Sequence, residues 1–305
     1  MAASAQWHAG VATDTGRARE SNEDRSWVDV ERGIFLVVDG VGGHAAGETA
    51  AETAVQSIRQ ELGEAEGAAE DRVRRAIALA NNRIYEMARD TEPLRGMACV
   101  LTLALMDNGH LVIGHVGDSR LYLIWNGSIR KLTSDHSPVG EGEDCGELTE
   151  QQAMLHPRRH EVFRDVGTRL HTAGDDGFIE IRRCQFKPDA AFLLCSDGLS
   201  DLLTSSEIRE IVEHYEGDAA ETARELVQAA NAAGGNDNIT ALLVVGADFH
   251  ARAPSELDAR ARHSITRPRL DAEPRSAARF FTGRVAFLFY GVLLGILIWA
   301  MLHPV

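Results

Sequence analysis

Residues 34–62 read IFLVVDGVGGHAAGETAAETAVQSIRQEL. The five apolar residues Ile34 to Val38 run into Asp39-Gly40, the pattern of a buried strand entering a turn. Beyond the glycines, Ala50, Ala54, Ile58 and Leu62 recur four residues apart, which predicts a helix over 45–62. Val73, Ile77, Ala80 and Ile84 repeat that stripe within 72–88. Strand-like stretches follow at Cys99–Met106, His110–Val116, Leu121–Trp125 and Ile129–Leu132. Asp107-Asn108-Gly109 and Asn126-Gly127 separate them at hairpin spacing. Further strands are predicted at Gly177–Arg182, Ala190–Cys195 and Ile239–Val245, with helices over Ser205–Tyr215 and Asp218–Ala233. Two helices followed by a meander of strands predict an α+β layer fold, not alternating βαβ units. No internal repeat is visible.

The chain has 305 residues and a formal net charge of −15, unevenly spread. Residues 251–284 hold eight arginines against four acids, and nothing after Arg284 is charged, so residues 1–250 carry −19. An acidic body excludes a nucleic-acid partner, because phosphate backbones need a basic footprint. It suits either a domain that gathers carboxylates around divalent cations or a merely acidic soluble domain. The four cysteines form no CxxC pair and read as reduced, mostly buried thiols. The amino terminus MAASAQWHAG has no basic segment leading into an apolar run, so no signal peptide is expected.

At the other end, residues 285–302 read VAFLFYGVLLGILIWAML, eighteen residues without a charge. As a helix they would span about 27 Å, close to the hydrocarbon core of a bilayer. Arg279 and Arg284 precede them, so the positive-inside rule places the preceding domain in the cytoplasm, at the inner or plasma membrane. The competing reading is a buried core helix. Residues 248–284, rich in Arg, Ala, Pro and Ser, read as a linker that either meets anionic lipid or is simply a solvated spacer. The expected division is a catalytic domain over 5–247, this linker, and a transmembrane helix over 285–302.

Four acidic segments sit where strands end or turns begin: 14–24 (DTGRARESNED), 39–44 (DGVGGH), 195–198 (CSDG) and 234–238 (GGNDN). Hard divalent cations take oxygen ligands, commonly a few carboxylates plus water. One Asp-Gly is an ordinary turn. Four such segments in one domain, each beside an apolar strand or a polar cluster, favour a cation site. Nucleophile-based chemistry is poorly served: there is no GxSxG, no CxxxxxR loop and no GxxxxGK[ST]. Zinc is disfavoured by the lack of HxH or HExxH spacing.

In order, DTGRARESNED, VVDGVGGHAAGETAAETA, HVGDSRLYLIWNG, KLTSDHSPV, LLCSDGLSDLLTSSEI and GGNDNITALLVV resemble the motifs of bacterial PP2C-type (PPM) serine/threonine phosphatases. The resemblance runs from about Asp14 to Val245. It implies two packed antiparallel sheets flanked by helices, and two Mn²⁺ or Mg²⁺ ions sharing a water that attacks the phosphorus directly. By position, Asp39 resembles the carboxylate bridging both metals, and Asp197 and Asp237 resemble the ligands of the first ion. Glu23 and the Gly40 carbonyl match the second. Asp24 resembles a carboxylate that orients the attacking water, and Arg19 the arginine that grips the substrate phosphate. Asp118 resembles the ligand of a third, weaker metal. Phosphorylated proteins are the implied substrates, and a serine/threonine kinase the implied counterpart.

The sequence departs from the pattern in two places. Val41 stands where eukaryotic members often carry a histidine acid for the leaving group, so protonation there is expected to come from water. His44, three residues on, is expected to be structural. Residues 140–176 should hold a flap beside the site, yet EGEDCGEL and FRDVGTRL fit the family only loosely, and Asp165, Asp175 or neither would complete the third metal site. Trp27, Trp125, Ile208 and Ile211 read as core, and His136 of the LTSDHS segment has no evident chemistry. Two rival functions stand beside the phosphatase: a pseudophosphatase scaffold, expected to have lost the carboxylates, and a phosphatase of small metabolites.

Overall fold

The computed structural model describes residues 7–42, 45–64 and 66–251. Ten strands form two five-stranded sheets. The first sheet has the order β1 (Trp7–Asp14), β10 (Ile239–Gly246), β9 (Ala191–Cys195), β6 (Arg120–Trp125), β7 (Ser128–Lys131). The second runs β2 (Arg25–Asp29), β3 (Ile34–Val41), β4 (Ala98–Asp107), β5 (His110–Val116), β8 (Glu180–Gln185). All pairings are antiparallel. The expected α+β sandwich is therefore present.

Three apolar layers hold it together. On β3, Phe35 and Val37 face the core between the sheets, where they meet Phe192 and Leu242. Ile34, Leu36 and Val38 point the other way, toward α1 (Ala45–Glu64) and α2 (Ala69–Asp90). Burial on both faces explains why this strand reads as an unbroken apolar run instead of alternating. Likewise β10 sends Leu242 and Val244 inward and Ile239, Ala241, Leu243 and Val245 toward α6 (Ser205–Glu213) and α7 (Ala219–Ala233). Packing continues to Phe249, whose ring lies 5.7 Å from that of Tyr215, two residues beyond the expected domain end.

The hairpins follow their turn residues. Asn108 and Gly109 have φ of 49° and 77°, and Asn126 and Gly127 have 50° and 72°, the paired positive values that Asn-Gly supplies. Two expectations shift. The strand predicted over 177–182 begins only at Glu180, because Gly177 turns at φ 78° and Phe178 and Ile179 are buried against the α1–α2 layer before pairing starts. Trp125, expected in the core, lies at the surface, with Lys187 Nζ 3.5 Å over its ring and its Nε1 donating to Asp189. Among the cysteines, all free, Cys99 and Cys195 are buried and Cys145 is exposed.

The registers bring one end of every strand pair together. Asp14 pairs with Ile239, Ala241 with Cys195 and Cys195 with Arg120 in the first sheet. Asp39 pairs with Val100 and Val116 with Leu101 in the second. The loops leaving these ends carry every acidic segment singled out from the sequence. Residues 138–176 add α3 (Pro138–Asp144), α4 (Glu150–Met154) and irregular chain. Asn81 on α2, fully buried, anchors this chain: its Oδ1 accepts from Gly167 N at 2.8 Å, and its Nδ2 donates to Arg169 O. Among the described residues no helix is long and apolar enough to cross a membrane. The 285–302 span, most of the 248–284 linker and His44 lie outside the described residues.

Candidate active site

A cavity of about 330 Å³ opens at that end of the sandwich. Its wall includes Arg19, Glu23, Asp39, Gly40, Asp118, Asp197 and Asp237. Asp39 and Gly40 come from the end of β3, Asp118 from the β5–β6 connection, and Glu23 from the β1–β2 connection. Asp197 opens the short helix α5 (Asp197–Ser200) after β9, and Asp237 precedes β10. Asp24 is not on the wall. It is 3% exposed behind it, and its Oδ2 accepts from Ser196 Oγ at 2.7 Å.

Each position has a local cause. Asn238 ties the acidic 14–24 segment to β10: its Oδ1 accepts from Glu23 N at 2.8 Å, and its Nδ2 donates to the carbonyls of Thr15 and Ser21, both at 2.9 Å. Gly47, in the first turn of α1, lies against the same group. A Cβ built there would overlap Glu23 Oε2 and sit 2.9 Å from Glu23 Cδ and 3.0 Å from Gly40 O. Only a residue without a side chain lets the helix approach this carboxylate and this carbonyl.

Asp118 is held through its neighbours. Gly117, at φ 111°, donates its N–H to His136 Nδ1 at 3.0 Å, and its carbonyl accepts from His136 N at 2.7 Å. His115 Nε2 lies 2.9 Å from the same carbonyl, and Thr102 Oγ1 donates to Ser119 O at 3.1 Å. The LTSDHS histidine thus has a definite place: it grips the backbone next to Asp118. Burial, followed by His115 and Arg164, pushes His136 down to about 3, so its ring stays neutral and Nδ1 remains an acceptor.

The carboxylates repel one another. Burial lifts Asp39 well above the ordinary range, and Asp24, Asp197, Asp118 and Asp237 add to it. Asp118 rises for the same reason, burial first and then Asp197, Asp135 and Asp201. Burial carries Asp24 to about 7, and Asp237 is raised as well. Arg19 brings a positive group to the carboxylates: its Nη2 donates to Asp237 Oδ2 at 2.7 Å. Asp24 Oδ1 and Asp197 Oδ1 are buried without a hydrogen-bond partner. Converging hard oxygens, a cradle that a methyl group would fill, and unmatched negative charge all fit divalent cations.

A sequence profile described as Protein phosphatase 2C matches residues 16–244. The chain belongs to this family. It is 36% identical over 247 residues to the serine/threonine phosphatase stp of Listeria welshimeri, an alignment covering 78% of this chain and 95% of that protein. The structure of the Mycobacterium tuberculosis serine/threonine phosphatase PstP/Ppp matches with a TM-score of 0.69 at 29% identity, covering 80% of this chain and 99% of that one. The catalytic domain of PstP in complex with two manganese ions matches with a TM-score of 0.68 at 28% identity, covering 78% and 97%. This phosphatase therefore shares the sandwich of a catalytic domain solved with two manganese ions.

The phosphatase also holds residues near its site that the sequence did not single out. His160 Nδ1 lies 3.7 Å from both Asp197 Oδ2 and Asp201 Oδ2. Asp201 was legible in principle, since it stands four residues after Asp197 in SDGLSD, on the same face of a helical turn. His160 carried no signal, because its contact depends on how 155–165 folds over the site. Asp165 and Asp175 make local contacts: Asp165 Oδ1 accepts from Thr168 N, and Asp175 accepts from Thr172 and lies 3.1 Å from His171 Nδ1.

Proposed function

We propose that this chain removes phosphate from phosphoserine and phosphothreonine of proteins, using two manganese or magnesium ions and opposing a serine/threonine kinase. The observation that carries this reading is the gathering of Glu23, Asp39, Asp118, Asp197 and Asp237, from five separate segments, around one cavity. Asp39 would be shared between two ions, with Asp197 and Asp237 on the first side and Glu23 and the Gly40 carbonyl on the second. Asp118 would serve a third, weaker ion. When bound, the cations acidify water and offset charge on the phosphoryl oxygens.

The chain's own groups do the rest. Arg19 lies on the cavity wall with its side chain half exposed, so its fork can receive a phosphate dianion. Asp24 accepts a hydrogen bond from the Ser196 hydroxyl, and its other oxygen, buried without a partner, would orient water. Val41, 42% exposed at the cavity, offers no proton to the leaving alkoxide, which leaves that step to solvent. A scaffold that had given up catalysis would have lost these carboxylates, and all of them are on the wall or directly behind it. The charge-free 285–302 segment supports a membrane tether with the catalytic domain on the cytoplasmic side.

Asp39→Ala and Asp237→Ala test the reading. Each is expected to abolish Mn²⁺-dependent hydrolysis of a phosphothreonine peptide, and unchanged turnover in either would overturn it.

A further inference from the structure

Beyond the carboxylates the cavity continues as a groove of about 520 Å³. Arg19, His160, Asp197 and Asp237 line both, so a chain attached to a phosphate at Arg19 has a path along it. Beside its charged residues the groove is lined by Met154 and Leu155, at the end of α4, and by Leu202, beyond α5. Leu155 is 83% exposed, the highest value among the large exposed hydrophobic side chains of the described residues.

Both arginines of the groove are already paired within the protein, and Asp197, which keeps one oxygen unpaired, lies on the wall shared with the carboxylate cavity. Arg159 Nε donates to Asp201 Oδ2 at 2.9 Å, and Arg19 holds Asp237 at 2.7 Å. An ionic side chain entering here would have to compete with these pairs. An apolar one would only cover Leu155, Met154 and Leu202, which favours it by removing their surface from water. The volume lies within the range of pockets that enclose ligands of several hundred daltons, enough for a few peptide side chains.

We propose that this groove selects protein substrates carrying an aliphatic or aromatic residue close to the phosphorylated one, with Leu155 as its apolar anchor. The proposal rests on the phosphatase reading above and adds the sequence context that the enzyme reads. A small phosphorylated metabolite would not reach Leu155, whereas a polypeptide leaving the phosphate site along the shared wall would.

The test uses the full chain with Mn²⁺ and three substrates. Two are phosphothreonine peptides identical except that one carries Leu or Phe two and three residues to either side, and the other carries Gly and Ser there. The third is p-nitrophenyl phosphate. The wild type should favour the apolar peptide by about 10-fold in kcat/KM, the discrimination typical of a small apolar contact. Leu155→Ala should lose most of that preference through KM, and Leu155→Asp should reverse it. Both variants should hydrolyse p-nitrophenyl phosphate within about 2-fold of wild type, because Leu155 lies outside the phosphate site.

Equal hydrolysis of the two peptides by the wild type, or a preference unchanged in both variants, would overturn the proposal while leaving the phosphatase reading intact. Failure on all three substrates would overturn both. An equal rise on all three in Leu155→Ala would assign the groove to the chain's own residues 252–305. A shift in sedimentation coefficient would assign it to a second copy, and either result overturns the substrate assignment.

Discussion

Gly47→Ala separates the stability of this fold from its chemistry. Gly47 sits in the first turn of α1 without a positive φ, so alanine suits the backbone and should raise helix stability by about 0.5–1 kcal/mol. The new methyl, however, occupies the place of Glu23 Oε2 and lies 3.0 Å from Gly40 O. A carboxylate is the free end of a flexible side chain, and it will swing aside at roughly 0.5–1.5 kcal/mol of rotamer strain. These two effects nearly cancel, so the metal-free melting temperature should move by no more than about 2–4 °C. Function should respond quite differently. A displaced Glu23 and a crowded Gly40 carbonyl remove two oxygens from one side of the proposed cation pair. Disturbing even the supports of such ligands weakens metal binding by about 10–100-fold, so half-saturating Mn²⁺ should rise by at least that factor. The measurement is a Mn²⁺ titration of phosphothreonine-peptide hydrolysis, run beside thermal unfolding in chelator. Wild-type half-saturation with unchanged melting would refute the reasoning. A collapse of stability would refute it too, because it would mean that Glu23 cannot move.

Two further predictions probe the same end of the molecule. Asp24 and Asp201 are lifted by burial to about 7, and Asp39, Asp118 and Asp237 move the same way. Between their unfolded values near 4 and these raised values, the folded protein holds more protons than the unfolded chain, so stability falls as pH rises. In chelator the melting temperature should therefore drop by several degrees from about pH 5 to about pH 8, and saturating Mn²⁺ should remove most of that slope; a flat profile in chelator would contradict the mutual repulsion. His136→Asn keeps an acceptor near the Nδ1 position for Gly117 N–H, whereas His136→Phe keeps only the ring. At matched folded fractions, the phenylalanine variant should need roughly 10-fold more Mn²⁺ and the asparagine variant far less of an increase; equal Mn²⁺ requirements would reduce His136 to packing.

The layers were legible wherever one residue type dominated a period. The β3 run and the stripes of α1 and α2 reflect burial on defined faces, and Asn-Gly forces its hairpins wherever it stands. Strands β1 and β2 were not legible. WHAGVATD is a half-exposed edge strand and RSWVD is five partly buried residues, so both owe their conformation to partners more than two hundred and about ten residues away, respectively. Asp39, Asp197 and Asp237 stood out because cations favour carboxylates beside glycine turns, whereas Glu23 and Asp118 were picked out by the family resemblance. Their supports were not. Asn238 and His136 act through a few hydrogen bonds to backbone groups and Gly47 through the lack of a side chain, and neither leaves a pattern in one sequence. Trp125 misled for a similar reason: an indole over a lysine and beside Asp189 reads like any core aromatic until its neighbours are known.

The site carboxylates are divided between the two sheets, with Asp39 on β3 and Asp197 and Asp237 beside the ends of β9 and β10. Like charges facing across that seam act as a wedge, and an ion shared by both sides acts as a rivet. The lifetime of the protein would then follow manganese and magnesium supply: starved molecules would open at the seam and be degraded first, while replete ones would persist. Ion scarcity would thus lower both the turnover and the abundance of this enzyme, and a kinase working against it would gain twice.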